Sequence, residues 1–163
     1  MSVLEVGFPS ADFPGPTPFS LRIPLAWRGF AVPDAQLAVG AADPVARFRP
    51  NVVVNTHRIR RTASPELDVE MLVAGDDSLP GVEVVADDVD PGPPLARRRR
   101  LRHDGPENVP LLAIRLLVLV PVGDQLGDVV SVVGTAAYDS PPAVHRELEA
   151  VVDSLTVATR SSD

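Results

Sequence analysis

The densest group of chemically capable side chains is Arg97-Arg98-Arg99-Arg100, followed by Arg102 and His103. Guanidiniums are planar forks of donors that match carboxylates and phosphates. The run could therefore hold an anion or an acidic partner. In an extended strand Arg98, Arg100 and Arg102 fall on one face, and that face is the candidate partner surface. A second account needs no partner. The preceding segment puts Glu83 and Asp87 on its own polar face. A hairpin turning at residues 91–94 then sets Asp87 opposite Arg98 and Glu83 opposite Arg102. Opposed charges of this kind contribute about 0.2–1 kcal/mol per pair, so a cross-strand charge ladder accounts for much of the run. Arg99 would face the apolar side with Leu101, and Arg115 sits among apolar neighbours. A charge cannot stay unpaired in a core, so each guanidinium is expected to reach solvent or a carboxylate.

Other chemistry is sparse. His57, His103 and His145 are dispersed and form no HExxH pattern. No serine has a G-x-S-x-G setting, and there is no P-loop or G-x-G-x-x-G. Asp76-Asp77 and Asp87-Asp88-Asp90 lack the spacing of a calcium loop and read as solvated turn residues. Trp27 and Tyr138 could line a pocket but fit a core better. No catalytic residue, metal ligand or cofactor site is expected, and the chain reads as a non-enzyme.

Composition narrows the class further. The chain has 163 residues, one-domain length, a formal charge of −7 and a pI near 4.9. That balance opposes nonspecific nucleic-acid binding, which needs a basic face. Cysteine is absent, which removes disulfides and thiolate metal sites. The first residues carry no basic-then-apolar leader. The apolar run Leu111–Pro121 falls far short of the roughly 20 residues of a membrane helix, and Arg115 interrupts it. The expectation is a soluble, cytoplasmic protein without a membrane or nucleic-acid partner. Every basic residue is Arg, a bias that suggests a GC-rich, actinobacterial genome.

These residues must be positioned by recognisable elements. Phe19–Pro24 alternates apolar and polar like a half-buried strand. Gln36–Gly40 is a short strand and Asn51–Arg60 a β-branched one. Ser64-Pro65-Glu66 is a helix start, with Ser at the cap and Pro at the first helical position, giving a helix over about 65–73. After Pro80-Gly81 comes a meander: Val82–Asp88, a turn at 90–94, Leu95–His103, a loop, Leu111–Val120 and Val129–Ala137. Leu111–Val120 is almost continuously apolar, so it belongs inside the sheet with both faces covered. The closing helix, capped by Ser140 or Asp139 with Pro141 behind, carries Val144, Leu148, Val151, Val152 and Leu155 on one stripe. That stripe needs a sheet face to lie on. Residues 1–18 read as a loosely structured segment and 158–163 as a flexible tail of a single domain.

This order resembles the Mog/PsbP-like superfamily, and within it the actinobacterial branch of LpqN-type lipoproteins. The likeness rests on Phe19–Ile23 with Trp27, Phe48-Arg49-Pro50-Asn51-Val52-Val53-Val54, Val132-Val133-Gly134-Thr135-Ala136, and Val152-Asp153-Ser154-Leu155. It implies an α+β fold, an α/β/α sandwich around a mainly antiparallel sheet of six or seven strands. It also implies a binding or accessory role, expected through contacts with an unidentified protein; apart from the resemblance, a sheet edge could support a homodimer. The alternative is a small-ligand binder with a cavity between the sheet and the C-terminal helix. The branch carries an export signal and a lipobox cysteine that this sequence does not show, so the envelope role is not carried over with the fold.

Overall fold

The computed structural model describes residues 9–11 and 14–159. In chain order the strands and helices are β1 (Phe19–Ser20), β2 (Arg28–Gly29), β3 (Leu37–Gly40), β4 (Asn51–Arg60), α1 (Pro65–Val73), β5 (Glu83–Asp90), β6 (Leu95–Asp104), β7 (Pro110–Val122), β8 (Leu126–Ala137), α2 (Pro142–Asp153) and β9 (Thr156–Val157). A 3-10 turn, Ala74–Ser78, continues α1. Seven strands form one antiparallel sheet in the order β2-β3-β4-β8-β7-β6-β5, and β1 pairs with β9 apart from it. The fold is the expected α+β class. β7 and β8 are interior strands, as the unbroken apolar run of β7 requires.

Strand alternation divides the sheet into two faces. Leu112, Ile114, Val130, Val132 and Ala136 point to one face with Val52 and Val54, and there Leu148, Val151 and Val152 of α2 pack on them. Gly134 lies beneath the helix: a Cβ there would come within 2.7 Å of Val152 and 3.0 Å of Leu148. The absent side chain lets α2 sit this close. Leu95, Leu117, Leu119 and Val129 point to the opposite face and meet Val69 and Val73 of α1. A helix thus covers each face, one of twelve residues and one of nine.

The helix ends differ from each other. Ser64 Oγ accepts from the Leu67 amide at 3.2 Å, the expected cap. In α2 the cap position falls on Pro141, without a side-chain bond. Ser140 Oγ is buried and finds no partner among the described residues. The Ser140 cap is therefore not formed, because the helix starts one residue later, at Pro142, the following proline. The alternating Phe19–Pro24 segment pairs only over Phe19–Ser20, against β9. Trp27 is core, and its indole donates to Glu147 Oε1 at 3.0 Å.

The flanking segments are more tightly held than their composition suggests, as far as they are described. Asp128 is buried inside β8. It accepts from Thr17 N at 2.9 Å, Thr17 Oγ1 at 2.8 Å and Arg58 Nε at 2.8 Å. Arg58 also donates to the carbonyls of Pro14 and Gly15. Burial alone would push the Asp128 carboxyl up, but the Arg58 guanidinium and the Thr17 donors outweigh it and hold it below the usual range. At the other end Ala158 N donates to Pro18 O at 2.9 Å. Residues 14–18 and 158 are thus fastened rather than loose; the rest of the expected tail, 160–163, and residues 1–8, 12 and 13 lie outside the described residues.

Candidate functional site on the open sheet face

The arginine run divides between the two faces because β6 is extended. Arg98, Arg100 and Arg102 do share a face, and it is the face under α2. Arg98 Nε donates to Asp153 Oδ1 at 2.8 Å, and Arg100 pairs with Glu149. Arg102 lies over the Tyr138 ring, 5.2 Å from its centroid, in range for a cation–π contact. Two of the three candidate residues are thus engaged with helix α2, and the third with an aromatic ring just before it. The sequence reading of this run as internal charge pairing holds in kind, but the acids of Arg98 and Arg100 lie on α2 and not on the neighbouring strand.

The strand register explains the change. Glu83 does pair with Arg102, but a bulge between Val84 and Ala86 moves the rest by one residue. Asp87 therefore faces Arg99, and Asp88 faces Arg98. Asp87 now shares the α1 face with Arg97 and Arg99. Arg97 grips it through Nε at 2.9 Å and Nη2 at 2.7 Å and reaches Glu70 of α1 with Nη1. The Arg97 guanidinium beside it holds the Asp87 carboxyl below the usual carboxylate range, and Asp87 in turn raises Arg97.

The other two arginines of this face converge on one acid. Asp76, in the 3-10 turn, is 3% exposed. Its Oδ2 accepts from Arg99 Nη1 at 2.6 Å and its Oδ1 from Arg115 Nη1. Arg99 and Arg115 are direct neighbours across β6 and β7. Arg99 Nη1 also lies 3.3 Å from the Val73 carbonyl, and its Nε 3.3 Å from Asp87 Oδ2. Both guanidiniums thus find the carboxylate that burial demands, as expected. Asp76 is not a solvated turn residue. Two consecutive elements, α1 and the 3-10 turn, carry it inward over the sheet.

Beyond Asp76 no helix among the described residues covers this face. There a cavity of about 430 Å³ opens. Its floor is the sheet: Leu101, Ala113, Arg115, Val133 and Thr135. Leu111 and His103 extend it, and Phe48, Leu79 and Pro106 wall it. The lining is mainly aliphatic, with Asp76 and Arg115 at one end. Arg115 has a side chain only 22% exposed. Desolvation lowers its pKa, and its Nε is buried with no acceptor among the described residues. His103 Nδ1 sits 3.3 Å from the carbonyl of Asp104.

Where a cavity is expected, between the sheet and α2, Leu148, Val151 and Val152 fill the interface over Gly134 among the described residues. A depression of about 410 Å³ does touch α2, but on its outer side, against Arg22, Ile23 and Pro24. The sequence reasoning named neither Asp76 nor the apolar floor as a site. Leu101, Ala113, Val133 and Thr135 carry a legible signal only as alternate residues of their strands. Nothing local says that the covering helix stops short of them.

An antiparallel sheet flanked by one helix on each face, with a groove on its shorter-helix side, defines the protein as an α+β sandwich with an open sheet face. Among solved structures it is similar to LpqN of Mycobacterium tuberculosis, a protein involved in cell envelope biogenesis. The TM-score is 0.72 over 89% of this chain and 86% of that one, at 15% sequence identity. The chain therefore has an LpqN-like fold. No protein-family model and no curated protein matches it.

Proposed function

We propose that this is a non-enzymatic binding protein of the Mog/PsbP-like superfamily, and that the sheet-face groove receives a small, largely apolar ligand. The observation that carries this reading is the 430 Å³ concavity with its aliphatic floor, inside the roughly 300–1,000 Å³ range of small-molecule sites. Non-catalysis is supported by the groove's one carboxylate among the described residues, which is already engaged. Both carboxylate oxygens of Asp76 accept from guanidiniums, an arrangement that disfavours its use as a base. This reading moves the ligand-binding alternative raised by the sequence to the face opposite to the one expected.

The experiment is direct. N-phenyl-1-naphthylamine, an uncharged apolar dye, should brighten on the native protein and lose that response in Ala113→Trp, which fills the groove from its floor. A dye response unchanged by Ala113→Trp would remove the groove as the site.

Protein–protein contact is a second reading, favoured by exposed apolar side chains on α1 and β5. Leu67 and Met71 are half-exposed or more, as are Val85 and Val89. The sheet edge itself is poorly suited to strand addition or homodimerisation. β5 carries Glu83, Asp87, Asp88 and Asp90 and a bulge, features that block edge pairing, and β2 at the other edge has two residues. A partner or second copy would therefore use the α1 surface rather than an edge.

A further inference from the structure

We infer that the groove selects an apolar ligand bearing one carboxylate, seated on Arg115. This rests on the groove being the binding site. Arg99 and Arg115 share the single carboxylate of Asp76. Arg99 has a second acid nearby, Asp87, but Arg97 already holds both oxygens of that one. Arg115 has no second acid: Asp76 is its one carboxylate partner among the described residues. The linked guanidiniums Arg97, Arg99 and Arg115 are balanced by Glu70, Asp76 and Asp87, but Glu70 and Asp87 gather on Arg97, so at the end of the groove Arg115 has only a shared carboxylate. Charge in such a setting is weakly screened, so an incoming anion gains more there than in water.

The donor inventory agrees. A guanidinium has five N–H donors, and Arg115 uses Nη1 on Asp76 while its Nε stays buried and unmatched. The planar fork suits the two oxygens of a carboxylate. A cation would meet Arg115 as a like charge. A neutral ligand would fill the floor and leave the donors unanswered, which is costly in a buried site. His103 also lines the groove.

The test uses three ligands of one chain length: octanoate, octanol and octylammonium. Affinities are read from methyl shifts of Leu111, Ala113 and Val133 in the native protein and in Arg115→Gln. Arg99 still pairs with Asp76 in that variant, so the acid is not orphaned. Octanoate should bind about tenfold or more tighter than octanol, and octylammonium weakest. Arg115→Gln should bring octanoate to the level of octanol and leave octanol within about twofold. On the native protein alone, the carboxyl of bound [1-13C]octanoate should titrate below that of free octanoate, because the guanidinium favours its ionised form. Equal binding of octanoate and octanol, with an unshifted carboxyl titration, would overturn the carboxylate preference and leave the groove standing. Failure of all three ligands to bind would remove the groove reading and this inference with it.

Discussion

The two faces of the sheet handle the same strands in opposite ways. Under α2 the interface is closed: apolar side chains meet over Gly134, and arginines at the rim tie the helix down through Glu149 and Asp153. On the α1 side the shorter helix covers only part of the face. Its charges are drawn inward to Asp76, and the remaining floor is left open. Arg98 and Arg99 are adjacent in sequence, yet one borders a packed helix interface and the other lies in a buried ionic node. Where arginine faces acids at the rim it fastens an element. Where it meets one buried acid shared with a neighbour, it keeps an unmatched donor at the edge of a cavity.

The largest expected effect comes from the node. Asp76→Ala leaves two guanidiniums without their carboxylate, and breaking such buried pairs costs about 3–5 kcal/mol. Urea unfolding should show a loss of this size. A loss below about 1 kcal/mol would mean that water already serves both arginines. Next comes a matched pair of small additions, one on each face. Gly134→Ala meets Val152 and Leu148 and should cost about 1–3 kcal/mol by overpacking. Ala113→Val, at a buried position that borders the groove, has empty space on that side and should cost less than Gly134→Ala. Equal costs at the two positions would erase the contrast between the faces.

A third test concerns the clasp at Asp128. Its folded-state pKa is depressed, below an unfolded value of about 3.9. The stability it contributes is therefore fully present above about pH 4 and is lost as pH falls through the lower folded value. Asp128→Asn should flatten the acid limb of the stability–pH curve below about pH 4. An unchanged limb would show that the Thr17 and Arg58 contacts do not couple to folding. The smallest effect belongs to the rim of α2. Arg98→Ala should cost about 0.2–1 kcal/mol, since that pair is partly exposed and such pairs are worth little. The difference should shrink further in high salt.

Much of this architecture could be read from residue order. The α2 stripe from Val144 to Leu155, the Ser64 cap of α1, and the Asn51–Arg60 strand all rest on short-range periodicity or capping chemistry, and each is where the sequence put it. The assignment of Arg98, Arg100 and Arg102 to one face followed from strand alternation alone. Their partners did not follow, because Glu149 and Asp153 lie about fifty residues away and meet them only when α2 docks. The bulge at Val84/Ala86 has no turn residue to announce it, and it moved Asp87 from Arg98 to Arg99. Asp76-Asp77 looks like any acidic turn. Its burial depends on α1 and the 3-10 turn running together over the sheet. The groove was the least legible feature, because it is the space left where that cover ends.

The account turns on one face being closed and the other open to a ligand. Methyl-resolved NMR of the native protein titrated with N-phenyl-1-naphthylamine tests this in a single series. Saturable shifts at Leu101, Leu111, Ala113 and Val133, with Leu148 and Val152 unmoved, are the predicted result. Shifts centred on Leu148 and Val152, with the groove methyls silent, would contradict it.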